Sequence, residues 1–387
     1  MKRRWFAAAL LAVALLAVVL TVQFRRPEPP SVHGKSVLTW ALELNGPGPT
    51  AAAEEVFRRV GEDAVPCLAA ALGCKDSLLR KPLMVTSPRL SDKTRLRLFH
   101  FFDPDEANRL RFGAVRALEI MGPKAKMALP ALSKALRDED VNISMRAAFG
   151  LAGIGGDAVP ELVRAMKASN HHIRLMSILA LSRIGSEAVP AVSALVEALD
   201  DKSPQVARQA SHALAGIGRP AVPKLIPFLE HSRFAVRAFA ACSLAEMGPL
   251  AREALPSLHA ALDREPLAEV RSGMIEALGK IRPSSQTVVV ALAGALEDED
   301  SGVRAKAAES LERGGRAAAT AVPALIRALK DASPEVRKSA AAALGAIGGS
   351  ATSAISNLAE MASNTNEFAS AEAREALEKI KASQRIE

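Results

Sequence analysis

Histidine, cysteine and clustered acids are the side chains of this 387-residue chain that could carry chemistry, as metal ligands, nucleophiles or proton donors. The seven histidines (His33, His100, His171, His172, His212, His231 and His259) are scattered. Only His171 and His172 are adjacent, and helix neighbours point about 100° apart, so that pair reads as a turn or cap. Cys67, Cys74 and Cys242 form no Cys-x-x-Cys and read as small apolar residues. The acidic runs at 138–140 and 297–300 lack the spacing and glycine of a calcium loop. No Gly-x-x-x-x-Gly-Lys phosphate loop and no Gly-x-Ser-x-Gly elbow occurs. The expectation is a chain with no catalytic residue, no metal and no cofactor, one that binds rather than reacts.

What must position any binding residue is a repeat. A closing glycine recurs at Gly122, Gly155, Gly185, Gly218, Gly248, Gly315 and Gly348, in steps of 33, 30, 33 and 30, with Arg282 in the one missing slot. A fixed period of this size marks stacked helix pairs. The first helix of a pair has Val322, Leu325, Ile326 and Leu329 on one face. A proline falls in its first turn, at Pro66, Pro130, Pro160, Pro190, Pro223, Pro256 and Pro323, where a missing N–H costs nothing. The second helix has Val336, Ala340, Ala343, Leu344 and Ile347 on one face and ends at its glycine. Acidic turns precede the second helices, at Asp138–Asp140, Asp200 and Asp201, Asp298–Asp300, and Asp331. One pair cannot bury its own apolar face, so the pairs must stack.

These residues resemble HEAT repeats, of the short type also found in phycobilin lyases. The likeness rests on an acid six residues before an arginine that follows a valine: Asp298 before Val303 and Arg304, Asp331 before Val336 and Arg337. It covers about residues 50–383, with one interruption. In such repeats the arginine bonds an aspartate of an adjacent turn. Arg111, Arg174, Arg237, Arg271, Arg304 and Arg337 occupy that slot, and Ser144 and Ala207 depart from it. Two readings of the column stand: a structural ladder that includes Asp298 and Asp331, or an anion-binding groove. The ladder is favoured, because a half-buried arginine is normally paired. HEAT-like dinuclear-iron hydroxylases use His-Glu pairs, and this sequence has none; Ala213 follows His212.

The net charge of +8 is concentrated in two places. Residues 1–30 hold five Lys/Arg against one Glu, residues 74–111 hold nine against five acids, and the remainder is neutral. A neutral array has no basic stripe for phosphates, so no nucleic acid is expected. Near the N-terminus an uncharged stretch from Trp5 to Phe24 lies between Lys2, Arg3, Arg4 and Arg25, Arg26. Twenty residues are long enough to span a bilayer, and no clean small-residue cleavage site precedes Arg25. The heavier charge before the stretch keeps the N-terminus cytoplasmic. The interval from Gly61 to Gly122 is 61 residues, about one repeat too long. The extra residues include Arg95, Arg97, Phe99, Phe101 and Phe102, which form either an apolar plug for the array's end or a patch for a partner or membrane surface.

The expected fold is all-α: a right-handed α-solenoid of HEAT-like helix pairs with an N-terminal transmembrane helix. Its segments are a signal anchor at 1–26, a Pro-rich linker at 27–48, a first repeat at 49–73, a basic and aromatic insertion at 74–107, and the repeat array at 108–383. The expected function is a membrane-anchored solenoid that binds protein, a scaffold or assembly factor of the cell envelope. The array lies on the non-cytoplasmic side, or is secreted or periplasmic if the N-terminus is cleaved. The alternative is a phycobilin-lyase-type enzyme subunit or chromophore-handling chaperone.

Overall fold

Helix formation follows the spacing of apolar residues, and the chain breaks where proline or glycine forbids continuation. The computed structural model describes residues 30–44, 51–74, 106–363 and 369–384, nearly all of them helical. The expected membrane segment at 1–26 and nearly all of the expected insertion at 74–107, with Arg95, Arg97, Phe99, Phe101 and Phe102, lie outside these residues.

The described chain divides into two units, residues 1–158 and 159–387. In unit one a short hairpin (β1, Ser31–Val32; β2, Lys35–Ser36) leads into α1 (Val37–Glu43), followed by α2 (Ala51–Arg59), α3 (Val65–Ala71), α4 (Glu106–Met121), α5 (Leu129–Ala135) and α6 (Val141–Ile154). In unit two, seven first-and-second helix pairs follow in order. They are α7 (Val159–Ala165) with α8 (His171–Ile184), α9 (Val192–Glu197) with α10 (Pro204–Ile217), and α11 (Val222–Leu225) with α12 (Phe234–Met247). Next come α13 (Leu255–Leu262) with α14 (Ala268–Ile281) and α15 (Gln286–Ala295) with α16 (Ser301–Gly314). The last are α17 (Val322–Ala328) with α18 (Pro334–Ile347) and α19 (Ile355–Ser363) with α20 (Ser370–Gln384).

Within unit two each second helix packs on the second helix of the next pair. Val336, Ala340, Ala343, Leu344 and Ile347 of α18 are fully buried, and Val322, Leu325 and Ala328 of α17 and Leu329 at its C-cap are in the core with them. Full burial of one such aliphatic side chain stabilises by about 1.5–3 kcal/mol. A lone pair would leave that face in water, so the stack is the folding unit.

The seven closing glycines all have positive φ, from 51° to 85°. Gly155, with φ 85° and ψ −146°, sits in a region that residues with a Cβ enter only under strain. Turn length after the glycine sets the alternating period. After Gly122, Gly185, Gly248 and Gly315 a seven-residue 3-10 turn begins on the glycine itself. After Gly155 and Gly218 the turn has three residues and begins one later. The next helix therefore starts seven residues after the glycine in one class and four in the other. Pro190, expected in the first turn of a helix, lies instead inside a long 3-10 turn, because α9 starts only at Val192.

Residues 31–44, read from the sequence as part of a stiff linker, are folded. Ser36 caps α1, its Oγ accepting from the Thr39 amide at 3.1 Å. Val37, Trp40, Ala41 and Leu44 are buried, and the Trp40 indole N–H donates to the Val32 carbonyl at 2.9 Å. The helix can lie against α4 because residue 113 is glycine: a Cβ there would fall 2.0 Å from the Ala41 oxygen.

Two glycines two residues apart test the turn. Gly218→Ala forces a side chain onto φ +80° and should cost about 1–3 kcal/mol. Gly216→Ala, in the last turn of α10 with room for a Cβ, should be neutral or stabilise by about 0.5–1 kcal/mol. Urea unfolding of both variants checks the contrast.

Candidate functional site

The arginine column is the most regular polar feature of the described residues. Arg304, in the first turn of α16, sends Nε and Nη2 to the two carboxylate oxygens of Asp331 at 2.7 and 2.8 Å. Its Nη1 donates to the carbonyls of Asp298 and Glu299 at 2.8 and 3.1 Å. Four of the five guanidinium N–H groups are thus taken up inside the protein. Arg174 repeats the fork on Asp201 at 2.7 and 2.8 Å, and Arg271 on Asp298 at 2.8 Å twice. Arg237 does the same with Glu265 at 2.6 and 2.8 Å. In unit one Arg111 reaches Asp138 through one nitrogen at 2.7 Å. Arg337 donates to the carbonyls of Asp331 and Ala332 at 2.7 and 3.1 Å; the positions 27 and 28 residues beyond it lie outside the described residues.

Each carboxylate also holds its own turn. Asp201, Asp298 and Asp331 accept from the amide two residues on, at 2.8, 2.9 and 2.8 Å. Every turn between Arg271 and Arg337 is therefore gripped twice, by the preceding repeat's fork on its carboxylate and by its own arginine on its carbonyls. Burial pushes the Asp201, Asp298 and Glu265 carboxyls up, but the arginine and amide hydrogen bonds and the arginine charge outweigh it and hold all three below the ordinary range. For Asp331 the Arg304 fork is the largest influence and the result is again downward.

The slots that depart from the pattern are informative. Ser144 turns its hydroxyl to the Leu136 carbonyl at 2.8 Å. Ser144 and Ala207 belong to the two repeats with the short turn, where the residues aligned with the aspartate are Ala168 and His231. From Arg111 to Arg304, arginine and carboxylate are present together or absent together along the column. His231 keeps the turn-holding half of the role, its ring Nδ1 accepting from the Arg233 amide at 3.2 Å. There Arg233 ties back to Asp200, donating to its carbonyl at 3.2 Å and to its carboxylate. Sequence reasoning missed Glu265 as a partner because one extra residue in the α13–α14 turn moves the acid from 27 to 28 positions after its arginine. The 27-residue spacing was the signal that identifies the others.

The residues suited to chemistry take structural places. Asp140 and Asp300 cap α6 and α16, accepting from amides at 2.8 and 3.0 Å. Asn170 caps α8, the helix that opens with His171 and His172. On adjacent second helices His212 Nδ1 lies 2.9 Å from Glu246, and the Cys242 thiol donates to the same carboxylate at 3.6 Å. Burial first, then the Glu246 charge, pushes the Cys242 thiol up, which opposes thiolate chemistry. No group of three or more His, Cys, Asp and Glu with metal-binding geometry occurs among the described residues.

With this geometry in hand, comparison with known proteins gives three findings. A family model described as HEAT repeats matches residues 129–215, 192–279, 255–320 and 289–378. No curated protein matches the sequence. Among solved structures, Kap95p in its complex with RanGDP aligns over 90% of this chain and 54% of its own, at TM-score 0.54 and 14% identity. The karyopherin Kap121p, bound to the extreme C-terminus of the phosphatase Cdc14p, aligns over 90% of this chain and 43% of its own, at TM-score 0.56 and 12% identity. This chain thus spans about half of each karyopherin, and at such identity the likeness is one of fold. The CpcE–CpcF complex of the Nostoc phycocyanin lyase aligns over 57% of this chain and 94% of its own, at TM-score 0.36 and 24% identity.

The paired forks make acid sensitivity predictable. Carboxyls held below their unfolded values stabilise the fold above about pH 4 and lose that contribution as pH falls through the folded values. Acid unfolding should begin below about pH 4, and Asp298→Asn with Asp331→Asn should flatten the acid limb while lowering stability at pH 7. Arg304→Ala should cost about 1.5–3 kcal/mol, and Arg304→Ala combined with Asp331→Ala less than the sum of the two. An unchanged melting temperature for Arg304→Ala would count for an anion groove instead.

Proposed function

Because this chain belongs to the HEAT-repeat family, we propose that it is a protein-binding scaffold of the cell envelope, held at a membrane by residues 1–24, with its array on the non-cytoplasmic side. The observation that carries the binding half is an apolar edge. Phe234 at the start of α12 and Leu267 just before α14 occupy neighbouring places in successive repeats, 49% and 43% exposed. Apolar side chains in adjacent repeats at one edge of a stacked array are the kind of surface a protein partner covers. The arginines beside them are already bonded to acids, so they serve the stack and leave partner binding to other side chains. Protein partners of the karyopherin neighbours, RanGDP and the Cdc14p C-terminus, support the same reading. The membrane half rests on the uncharged stretch from Trp5 to Phe24 between basic clusters.

Crosslinking of the full chain in its native cells should recover a protein partner. Phe234→Asp with Leu267→Asp should cut that recovery at least tenfold with the melting temperature unchanged; undiminished recovery would remove this edge from the interface. The chain should fractionate with membranes and keep its N-terminal residues by mass spectrometry. A mature N-terminus near residues 22–27 would make it a soluble exported protein.

A further inference from the structure

Four of the seven first helices in unit two carry a charged side chain at one outward position: Arg164 on α7, Glu197 on α9, Arg327 on α17 and Glu360 on α19, all exposed; the α11 repeat has Pro227 there and α13 has Ala260. Repeat alignment puts Gly294 of α15 at that position. A side chain built there would meet nothing within 4 Å. The proline that opens α7, α11, α13 and α17 is replaced in α15 by Val290, 60% exposed. The connection into α15 is also irregular: Arg282, with φ −158°, ends α14 in the slot that a positive-φ glycine fills in seven other repeats, and no 3-10 turn follows.

These substitutions border a groove of about 340 Å³ between α13 and α15, lined by Leu262, Ile275, Val290, Ala291, Gly294 and Ala295. The volume is at the lower end of that of ligand pockets. His259, Asp263, Arg271 and Asp298 supply its polar lining. Arg271 is occupied by Asp298 at 2.8 Å and by Glu299 at 3.2 Å. Asp263 has no side-chain partner among the described residues. The groove is therefore apolar along its floor, without a charged side chain at the outward position of either α13 (Ala260) or α15 (Gly294), and negative at its rim.

We propose that this groove docks a segment of a partner polypeptide, with small aliphatic side chains seated over Gly294 and Ala291 and a lysine or arginine paired with Asp263. Charge complementarity selects the basic residue, and the missing outward side chain gives the backbone of the segment room to approach. The inference rests on the protein-binding reading and adds to it the chemistry of one contact.

Random 12-residue peptides displayed on phage and selected on the full chain test it. Enriched peptides should combine aliphatic residues with a lysine or arginine. A synthetic copy should bind Gly294→Arg and Asp263→Lys at least tenfold more weakly than the unaltered chain. Gly294→Arg should melt at or above the unaltered temperature, since Arg164 and Arg327 stand at the same place in other repeats; Val290→Asp gives a second, independent block. Peptides that bind Gly294→Arg and the unaltered chain alike, or that carry no basic residue and ignore Asp263→Lys, would overturn the proposal. A native partner recovered equally by Gly294→Arg would overturn the groove and leave the scaffold reading standing. Failure of the unaltered chain to bind any peptide or partner would defeat both.

Discussion

The two-toothed bond from an arginine to the carboxylate 27 residues later is the constraint around which these repeats are arranged. It fixes how far one helix pair is displaced from the next, because both oxygens are engaged and the guanidinium is flat. The same carboxylate holds the amide two residues on, so inter-repeat spacing and turn shape are set by one side chain. Core packing of alanine and leucine supplies most of the favourable burial, but aliphatic contacts alone tolerate sliding. A directional, half-buried ion pair does not, which is the specificity role polar groups take in otherwise interchangeable interfaces.

Much of this was legible in the sequence. The closing glycines are the repeat's clearest mark because their backbone conformation admits almost nothing else. The arginine slot was readable as a column for the same reason: a charge recurring at one helical position needs a recurring partner. What stayed hidden depends on comparing repeats with one another. The acid Glu265 escaped because the spacing changes by a single residue. The α1 helix was passed over for its neighbouring prolines, although Val37, Trp40, Ala41 and Leu44 fall at helical spacing. The groove beside Gly294 could not be foreseen, since an absent side chain has no pattern of its own; it shows only against the charged side chains at four of the aligned positions.

Reactive residue types in this chain are drawn into holding backbone. Aspartates cap helices, His231 takes over an aspartate's turn contact, and the Cys242 thiol donates a hydrogen bond to Glu246. A repeat that must present the same face many times has little room for one exceptional site, so specialisation falls where the pattern lapses. The α14–α15 connection is such a lapse, and the 75–105 interval, outside the described residues, is the long departure from the period.

The alternation of long and short turns bears on how such a chain can lengthen. Gly122, Gly185 and Gly248 are separated by 63 residues each time, one long-turn repeat and one short-turn repeat. Duplicating a single repeat would set a fork opposite a turn with no acid, or an acid opposite a serine or alanine. Copying the double block preserves every pairing. The heritable module of this stretch is thus two repeats, and an inserted or deleted double block should be accepted where a single one is not.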